Sequence, residues 1–387
     1  MEFQSSNIIS EMRLLALLSS PRLDIEHIYN LLADFKPDIQ TLYELILHHE
    51  LLLLVYPRLK HITEFIEIPD IGKWRETFLR RSRNNLEQLS FYLFCSDVLT
   101  KNRVPFISYK GPVLSVQAYN NDSFRSFTDI DLLIQPDDFP RVYDILIKEG
   151  FTPEFLLSQR QILFLVKGNS EFKFLRKGFC LEIHWSVDER EYIYPIPSNY
   201  FWNNANTTLL FNRTLLTLSI EDTFLFLCIH GSKHRWSSMK WAVDLAHLSY
   251  SLSGNQWQNL YELGKKWGFL YNLSIGGILA NALGGRAFSN YPLVQQPDHS
   301  LSKLVDVVIE AWQSMQPIES YWTNVIFYLR SRERFKHRLL YLLMKAVNFK
   351  KEDWLAFPLP YQLKFLYAIY RPIRILAIFG LPFFRKS

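Results

Sequence analysis

The segment Thr128–Ile134 places the tightest constraint on the fold, because acidic and apolar side chains alternate along it. In a β-strand, residues two positions apart point to the same face. The alternation therefore predicts a strand that presents Asp129 and Asp131 together, while Ile130 and Leu132 point into a core. Two neighbouring carboxylates repel each other unless a cation lies between them, so the pattern favours a metal site. Two solvated aspartates at a strand end are the alternative.

Sequence periodicity divides the chain into three parts. In residues 1–103 apolar side chains recur at three- and four-residue steps, which predicts an N-terminal helical region. These helices are expected at Ile8–Leu18, Ile25–Phe35, Leu42–Val55 and about Trp74–Asn102. Residues 104–218 carry strand-like runs and form the predicted catalytic domain, and residues 219–387 form a C-terminal helical region. We therefore expect an α+β protein, with a small mixed sheet flanked by helices on both sides in the sequence.

The middle part has the order β-α-β-α, followed by further strands. Strands are predicted at Val104–Tyr109 and Thr128–Ile134, and a helix follows each of them. Four more strand-like runs come next, at Gln161–Val166, Glu171–Leu175, Phe179–Val187 and Thr208–Thr217. The tripeptide Lys167-Gly168-Asn169 is a hairpin-turn signal between the first two. Strands clustered after one alternating unit predict a mixed sheet with antiparallel members.

Two basic features precede the acidic strand. Lys110-Gly111 lies between a predicted strand and a helix start, where backbone N–H groups and the helix dipole favour a phosphate. Arg125 comes shortly before the acidic strand and can pair with a phosphate or orient Asp129. Both features favour an anionic ligand beside the carboxylates.

A third carboxylate lies on a later predicted strand. Glu182 and His184 are two positions apart and share one face of it. If this strand lies beside the Asp129 strand, Glu182 completes a cluster of three carboxylates. An exposed residue on an edge strand is the alternative for Glu182. His184 is more often a structural, hydrogen-bonded histidine than a metal ligand.

A second group of functional side chains follows in the C-terminal helical region. His230 and His234 are one helical turn apart, a spacing that can bind a metal, but no glutamate base is adjacent. Lys233 and His234 can instead bring positive charge toward a triphosphate, and Asp244 can orient one of the basic groups of this segment. The alternative is a structural role, in which these residues hold the helices against the sheet.

Composition favours a cytoplasmic protein with an anionic ligand. The formal net charge of +5 is well below that of a dedicated nucleic-acid binder. Three widely spaced cysteines fit neither a disulfide framework nor a zinc site. The N-terminus has no basic leader, and the apolar runs are shorter than the roughly 20 residues that span a bilayer.

The C-terminal part is locally basic. Basic residues are dense between Arg330 and Arg338, and others flank an apolar segment from Arg371 to Lys386. A solvated helix face is the favoured interpretation. An RNA-contacting surface of an RNA-directed enzyme and a peripheral membrane contact by the C-terminus are the alternatives.

The motifs together resemble those of the uncharacterised nucleotidyltransferase family of the DNA-polymerase-β-like superfamily. That family has a Lys-Gly turn before a helix, an arginine shortly before an Asp-Ile-Asp-Leu-Leu strand, and a later strand with the pattern acidic-Leu-His-Trp. The matching segments here are Lys110-Gly111, Arg125, Asp129–Leu133 and Leu181–Trp185. The resemblance extends over about Val104 to Leu248.

The resemblance implies a magnesium-dependent enzyme that moves a nucleoside monophosphate from an NTP to an acceptor and releases pyrophosphate. The residues expected to be catalytic and to hold two Mg²⁺ ions are Asp129, Asp131 and Glu182. Those expected to bind the nucleotide are Lys110, Gly111, Arg125, Lys233 and His234. The acceptor stays open between a small molecule, a peptide, a protein and RNA. A nucleotide-binding or regulatory module without catalysis is the alternative, because Lys110-Gly111 replaces the superfamily's usual Gly-Gly or Gly-Ser.

Overall fold

The computed structural model describes residues 9–187, 195–210, 212–316, 321–348 and 361–379, together with 353, 357 and 359. Ile8, at the start of the first predicted helix, and Arg385 and Lys386 of the basic tail lie outside the described residues. The fold is a mixed α+β arrangement in which one sheet lies among many helices.

Seven strands form this sheet in the order β3-β4-β5-β2-β1-β7-β6. Their bounds are Ile107–Ser108 (β1), Asp129–Leu133 (β2), Thr152–Pro153 (β3), Glu171–Arg176 (β4), Phe179–His184 (β5), Asn206–Leu210 (β6) and Arg213–Thr217 (β7). The pairs β2–β5 and β1–β7 are parallel, and the other neighbouring pairs are antiparallel. The sheet is therefore mixed, as the clustering of strands predicted.

Helices precede, interrupt and follow the strands. Before the sheet they are α1 (Ser10–Ser19), α2 (Ile25–Asp34), α3 (Ile39–His48), α4 (Leu52–Val55) and α5 (Ile71–Lys101). Between strands they are α6 (Gly111–Tyr119), α7 (Phe139–Lys148), α8 (Gln159–Gly168) and α9 (Tyr200–Asn203). After the sheet they are α10 (Ile220–Lys233), α11 (Lys240–Leu248), α12 (Gly254–Trp267), α13 (Leu270–Ala282), α14 (Pro292–Gln295), α15 (His299–Ser314), α16 (Tyr321–Arg330), α17 (Phe335–Val347) and α18 (Tyr367–Phe379). None of the described helices has the length and hydropathy needed to cross a membrane.

Side-chain caps set the start of several helices. The Ser219 hydroxyl accepts a hydrogen bond from the backbone N–H of Asp222 and so caps the start of α10. Asp38 caps α3 through two backbone N–H groups in the same way. The predicted helix Leu42–Val55 is in fact two helices, because Glu50 takes a φ of +58° and interrupts the helical path between α3 and α4.

The predicted strand Gln161–Val166 is wrong, because this segment lies within α8. Ser158 and Gln161 form a reciprocal capping box that starts a helix there. Ile162 and Leu165 are buried three positions apart, which is the spacing of a helix face. The hairpin turn accordingly lies between β4 and β5, and not at Lys167-Gly168-Asn169. Two residues with positive φ form this turn, Lys177 at +51° and Gly178 at +85°.

The first predicted strand, Val104–Tyr109, is also shorter than expected. Only Ile107–Ser108 pairs with neighbours, antiparallel to β2 on one side and parallel to β7 on the other. The following residues leave the sheet, because Lys110 is the N-cap of α6 and Gly111 begins that helix. This early exit brings the start of α6 to the end of β1.

Two apolar cores pack against the sheet. Ile130 and Leu132 contribute to a core with α5, α7 and α8, as their place in the alternation predicted. A larger core combines side chains of α1, α3 and α4 with those of α10 to α15, and Tyr109 and Leu133 belong to it. Its members come from the helices that precede the sheet in the sequence and from those that follow it. The domain boundaries at 103/104 and 218/219 stay predictions.

The basic stretch between Arg330 and Arg338 is not a uniformly solvated helix face. Arg332 and His337 are buried, whereas the apolar side chains of Phe335 and Leu339 are exposed. Arg338 donates a hydrogen bond from Nε to the carbonyl oxygen of Arg332, so part of the positive charge serves local packing. The favoured interpretation of this stretch is therefore wrong for its buried members.

Candidate active site and metal centre

The two strands that carry the acidic side chains are direct neighbours. β2 and β5 pair in parallel, and Asp131 stands opposite Glu182 in the register. Asp129 stands opposite Cys180, two positions earlier on the same face. Local alternation on each strand and the pairing of the strands together place the three carboxylates on one side of the sheet.

Asp131 is a buried carboxylate with two basic partners. Its Oδ1 lies 2.7 Å from Nζ of Lys110 and 2.8 Å from Nε2 of His184. Burial alone raises the pKa of Asp131, but the charge of Lys110 and the contact with His184 outweigh it and hold the pKa well below its usual range. Asp131 is therefore ionised at neutral pH.

Glu182 contacts one basic residue on the neighbouring strand β4 and another on its own strand β5. Lys173 stands opposite it on β4 and forms an ion pair with its Oε1, and His184 Nε2 lies 3.4 Å from its Oε2. Burial raises the pKa of Glu182, but its contacts with His184 and Lys173 hold the pKa at about 2. Burial lowers the pKa of His184, whereas its contacts with Asp131 and Glu182 raise it to about 9.

Asp129 differs from these carboxylates in its electrostatics. It is half-buried, and burial together with the charges of Asp131 and Glu182 raises its pKa. Lys110 and Lys173 oppose this shift without cancelling it. Asp129 is thus the member of the acidic face that gains most from an added cation.

Among the described residues, donor atoms of Asp131, Glu182 and His184 all lie within 4.8 Å of one another. Metal–oxygen distances of roughly 2.0–2.6 Å allow one ion to bridge donors at such a spacing. This compact group includes His184, which the sequence indicated as structural, and it does not include Asp129. The signal for His184 was available in the sequence, because it shares a strand face with Glu182.

One cleft of about 340 Å³ holds this acidic face. All eight residues predicted for the site line the cleft, namely Lys110, Gly111, Arg125, Asp129, Asp131, Glu182, Lys233 and His234. The sheet, the start of α6, the end of α10 and the start of α11 all contribute residues to its lining. The location of these residues therefore agrees with the sequence analysis, while their roles remain predictions.

Gly111 is required by the backbone at the start of α6. Its φ is +55°, a value that other residues adopt only with strain. The N-terminus of this nine-residue helix borders the cleft, and Lys110 reaches from it to Asp131. Backbone N–H groups, the positive end of the helix dipole and an ammonium group thus occur together beside the carboxylates.

Arg125 has a partner that the sequence did not indicate. Its Nε donates to Oδ2 of Asp244 at 2.9 Å, and the Tyr119 hydroxyl donates to Oδ1 of the same carboxylate at 2.7 Å. The sequence predicts that Asp244 orients a basic group of its own helical segment. Asp244 instead lies against Arg125, because α11 packs on α6.

His230 and His234 form a ring cluster with Trp241. The two imidazole centroids are 4.6 Å apart, and they lie 5.3 and 5.4 Å from the indole. Burial, followed by the charge of Lys110, lowers the pKa of His230 well below its usual range, so this ring is neutral at pH 7. The three rings pack against one another and line the cleft. These ring contacts favour a packing role for the two histidines over a metal site.

The comparison with protein families identifies the chain. The model of a family described as uncharacterised nucleotidyltransferase matches residues 36–285. The chain belongs to this family. The match extends beyond the motif-bearing segment from Val104 to Leu248 on both sides, and it includes every residue that lines the cleft. The comparison with curated proteins gave no match.

Proposed function

We propose that this member of the nucleotidyltransferase family is a magnesium-dependent enzyme with a polymerase-β-like catalytic sheet. It transfers a nucleoside monophosphate from an NTP to an acceptor and releases pyrophosphate. The observation that carries the proposal is the occurrence, in one cleft, of a carboxylate–imidazole group and of the basic residues around α6 and α10. Family membership supports the reaction class.

The donor set of the cleft suits a divalent cation. Carboxylate oxygens suit Mg²⁺ and Mn²⁺, and an imidazole nitrogen extends the choice to softer ions. Asp131 and Glu182 are ionised, as carboxylate ligands must be, whereas His184, whose pKa is raised to about 9, would have to lose its proton to bind an ion. Asp129 lies two residues before Asp131 on the same face and would complete the predicted set for a second ion. Bound ions would neutralise the triphosphate and stabilise both the attacking and the leaving oxygen.

The chain's own residues would bind and orient the nucleotide. The N-terminus of α6, with Gly111, offers backbone N–H groups to the outer phosphates, and Lys110 adds an ammonium group. Lys233 and His234, at the end of α10, line the same cleft and add positive charge to it. A triphosphate bound by these groups would lie beside the carboxylates that line the same cleft.

The transfer then needs one proton acceptor. The acceptor's hydroxyl oxygen forms a bond to the α-phosphorus as the bond to the pyrophosphate oxygen breaks. A carboxylate of the acidic face takes the hydroxyl proton. Among the carboxylates of this face we assign Glu182 to this step, because it lies on β5, whereas Asp129 and Asp131 lie together on β2 beside Lys110.

The test is transfer of label from an α-labelled NTP to components of a host lysate, with Mg²⁺ present. Asp129→Asn and Asp131→Asn are expected to abolish transfer. Asp97→Asn is the matched control, because Asp97 forms an exposed ion pair with Arg213 outside the cleft. Label transfer that persists in both Asp129→Asn and Asp131→Asn would contradict the proposal.

One observation favours a second candidate, a nucleotide-binding module without catalysis. Asp131 and Glu182 already have protein cations as partners, Lys110 and Lys173, so these carboxylates are neutralised without a metal. Calorimetry separates the candidates. Nucleotide binding that is equally strong with Mg²⁺ and with a chelator, together with absence of label transfer, would favour the module.

A further inference from the structure

Three residues from three parts of the chain form a buried polar group beside the cleft. Tyr119 ends α6, Arg125 lies between α6 and β2, and Asp244 belongs to α11. The side chain of Asp244 is 0% exposed and that of Arg125 is 9% exposed. Burial of a charge is costly without a partner, so the carboxylate and the guanidinium depend on each other.

The geometry of this group leaves one end of Arg125 available. The bond to Asp244 uses Nε, and both oxygens of Asp244 have partners, since Tyr119 occupies the second. Within the part of the chain that the structure describes, Nε makes the only side-chain hydrogen bond found for Arg125. Arg125 lines the cleft, so its two terminal nitrogens are the donors it can offer there.

The guanidinium stays charged in this setting. Burial lowers the pKa of Arg125, but the charge and hydrogen bond of Asp244 raise it above its usual value. A planar guanidinium with both terminal nitrogens available is suited to bidentate contact with a phosphate. A buried side chain with uncommitted donors at a cleft wall indicates a ligand rather than a surface ion pair.

We propose that Asp244, assisted by Tyr119, is a positioning residue that holds Arg125 as a clamp for an anionic phosphate group. The identity of the anion as the polyphosphate of a nucleotide rests on the proposed function. Asp244 fixes the guanidinium through Nε and leaves its two-nitrogen edge for the ligand. Tyr119 holds the carboxylate in turn, so the packing of α11 on α6 is transmitted to the phosphate site.

The test measures binding of inorganic tripolyphosphate by calorimetry to the full chain, with no turnover required. Removal of one hydrogen bond to a charged group weakens binding by about tenfold or more. We expect Arg125→Gln to weaken tripolyphosphate binding by at least about tenfold, and Asp244→Asn to have a similar effect. Asp97→Asn, which removes an exposed ion pair to Arg213, should leave the affinity unchanged.

A double-mutant cycle distinguishes positioning from independent roles. If Asp244 acts through Arg125, Asp244→Asn causes no further loss of affinity in the Arg125→Gln background. Losses that multiply would overturn the proposal, and so would wild-type affinity in a folded Asp244→Asn protein. Should Asp244→Asn fail to fold, Tyr119→Phe keeps the ion pair and should weaken binding about two- to fivefold. Unchanged affinity in Tyr119→Phe would then overturn the proposal.

The outcome is independent of the transfer reaction. A wild-type protein that binds tripolyphosphate but transfers no label would contradict the proposed function. It would not contradict the role of Arg125 as a clamp. Intact transfer with an unchanged KM for the NTP in Asp244→Asn would contradict the clamp alone. A raised KM with an unchanged kcat is the expected signature of a residue that positions a binding group.

Discussion

Substitution of the two aspartates of β2 is expected to change the stability of the metal-free protein in opposite directions. Asp131 is buried and contacts Lys110 and His184 at 2.7 and 2.8 Å, so its charge stabilises the fold. Asp129 experiences burial and the negative charges of Asp131 and Glu182, which raise its pKa. One carboxylate is therefore favourable as an anion, and the other is unfavourable.

The magnitudes follow from the contacts. Asp131→Asn keeps the shape of the side chain and removes the charge that Lys110 and His184 share. Breaking a buried ion pair costs about 3–5 kcal/mol, and a hydrogen bond to a charged group contributes about 1.5–3 kcal/mol. Because Asn still accepts a hydrogen bond and Lys110 is 18% exposed, we expect a loss of about 2–4 kcal/mol. Asp129→Asn relieves repulsion across a partly solvated face and should gain up to about 1 kcal/mol.

The assay is denaturant-induced unfolding in the presence of a chelator, followed by the same titration with Mg²⁺. Bound metal stabilises the folded state by about 2.7 kcal/mol at a concentration of 100 Kd. Wild type should gain this stability, and both variants should lose most of the gain. Asp97→Asn should behave as wild type throughout, within about 1 kcal/mol. A destabilised Asp129→Asn or a fully stable Asp131→Asn without metal would refute the electrostatic reasoning.

Three further substitutions test other parts of the structure. Gly111→Ala should destabilise the protein by about 1–2 kcal/mol and weaken nucleotide binding, because the backbone φ is +55°; unfolding and calorimetry measure both. Gly231→Ala should cost about 1–3 kcal/mol, since its Cβ would lie 2.6 Å from the ring of Trp236; an unchanged denaturation midpoint would contradict this. Burial raises the pKa of Asp222 to about 6, opposed by a hydrogen bond from Tyr200. The folded state therefore binds the proton more tightly, and stability decreases by about 2–3 kcal/mol as pH rises from about 4 through 6; Asp222→Asn should remove this dependence.

The carboxylates of the site could be predicted because their signal is local. Alternation along Thr128–Ile134 placed Asp129 and Asp131 on one face, and the same rule related Glu182 to His184. By contrast, the strand predicted at Gln161–Val166 is wrong, and the segment belongs to helix α8, because a short apolar run does not distinguish a strand from a helix. Its capping box, from Ser158 to Gln161, was the local signal that would have decided the matter.

The partners of the carboxylates could not be predicted in the same way. Asp244 is 119 residues from Arg125, and their contact depends on how α11 packs against α6. A helix offers many plausible neighbours within one turn, so sequence spacing favoured basic groups of the same segment over a distant arginine. Likewise, Lys173 reaches Glu182 only through the hairpin of β4 and β5, whereas the turn signal in the sequence lies at Lys167-Gly168-Asn169.

This difference explains why the chemistry of the site is harder to read than its location. The position of a carboxylate on a strand follows from period-two alternation, but its charge state depends on counter-charges brought by other elements. Asp131 and Asp129 are indistinguishable in the pattern, yet Lys110 and His184 make one of them a stable anion and leave the other repelled. A cation that enters the cleft would have to replace Lys110 or His184 at Asp131. At Asp129 the same cation would relieve the repulsion from Asp131 and Glu182. The opposite stability effects of the two Asn variants are the direct consequence of that asymmetry.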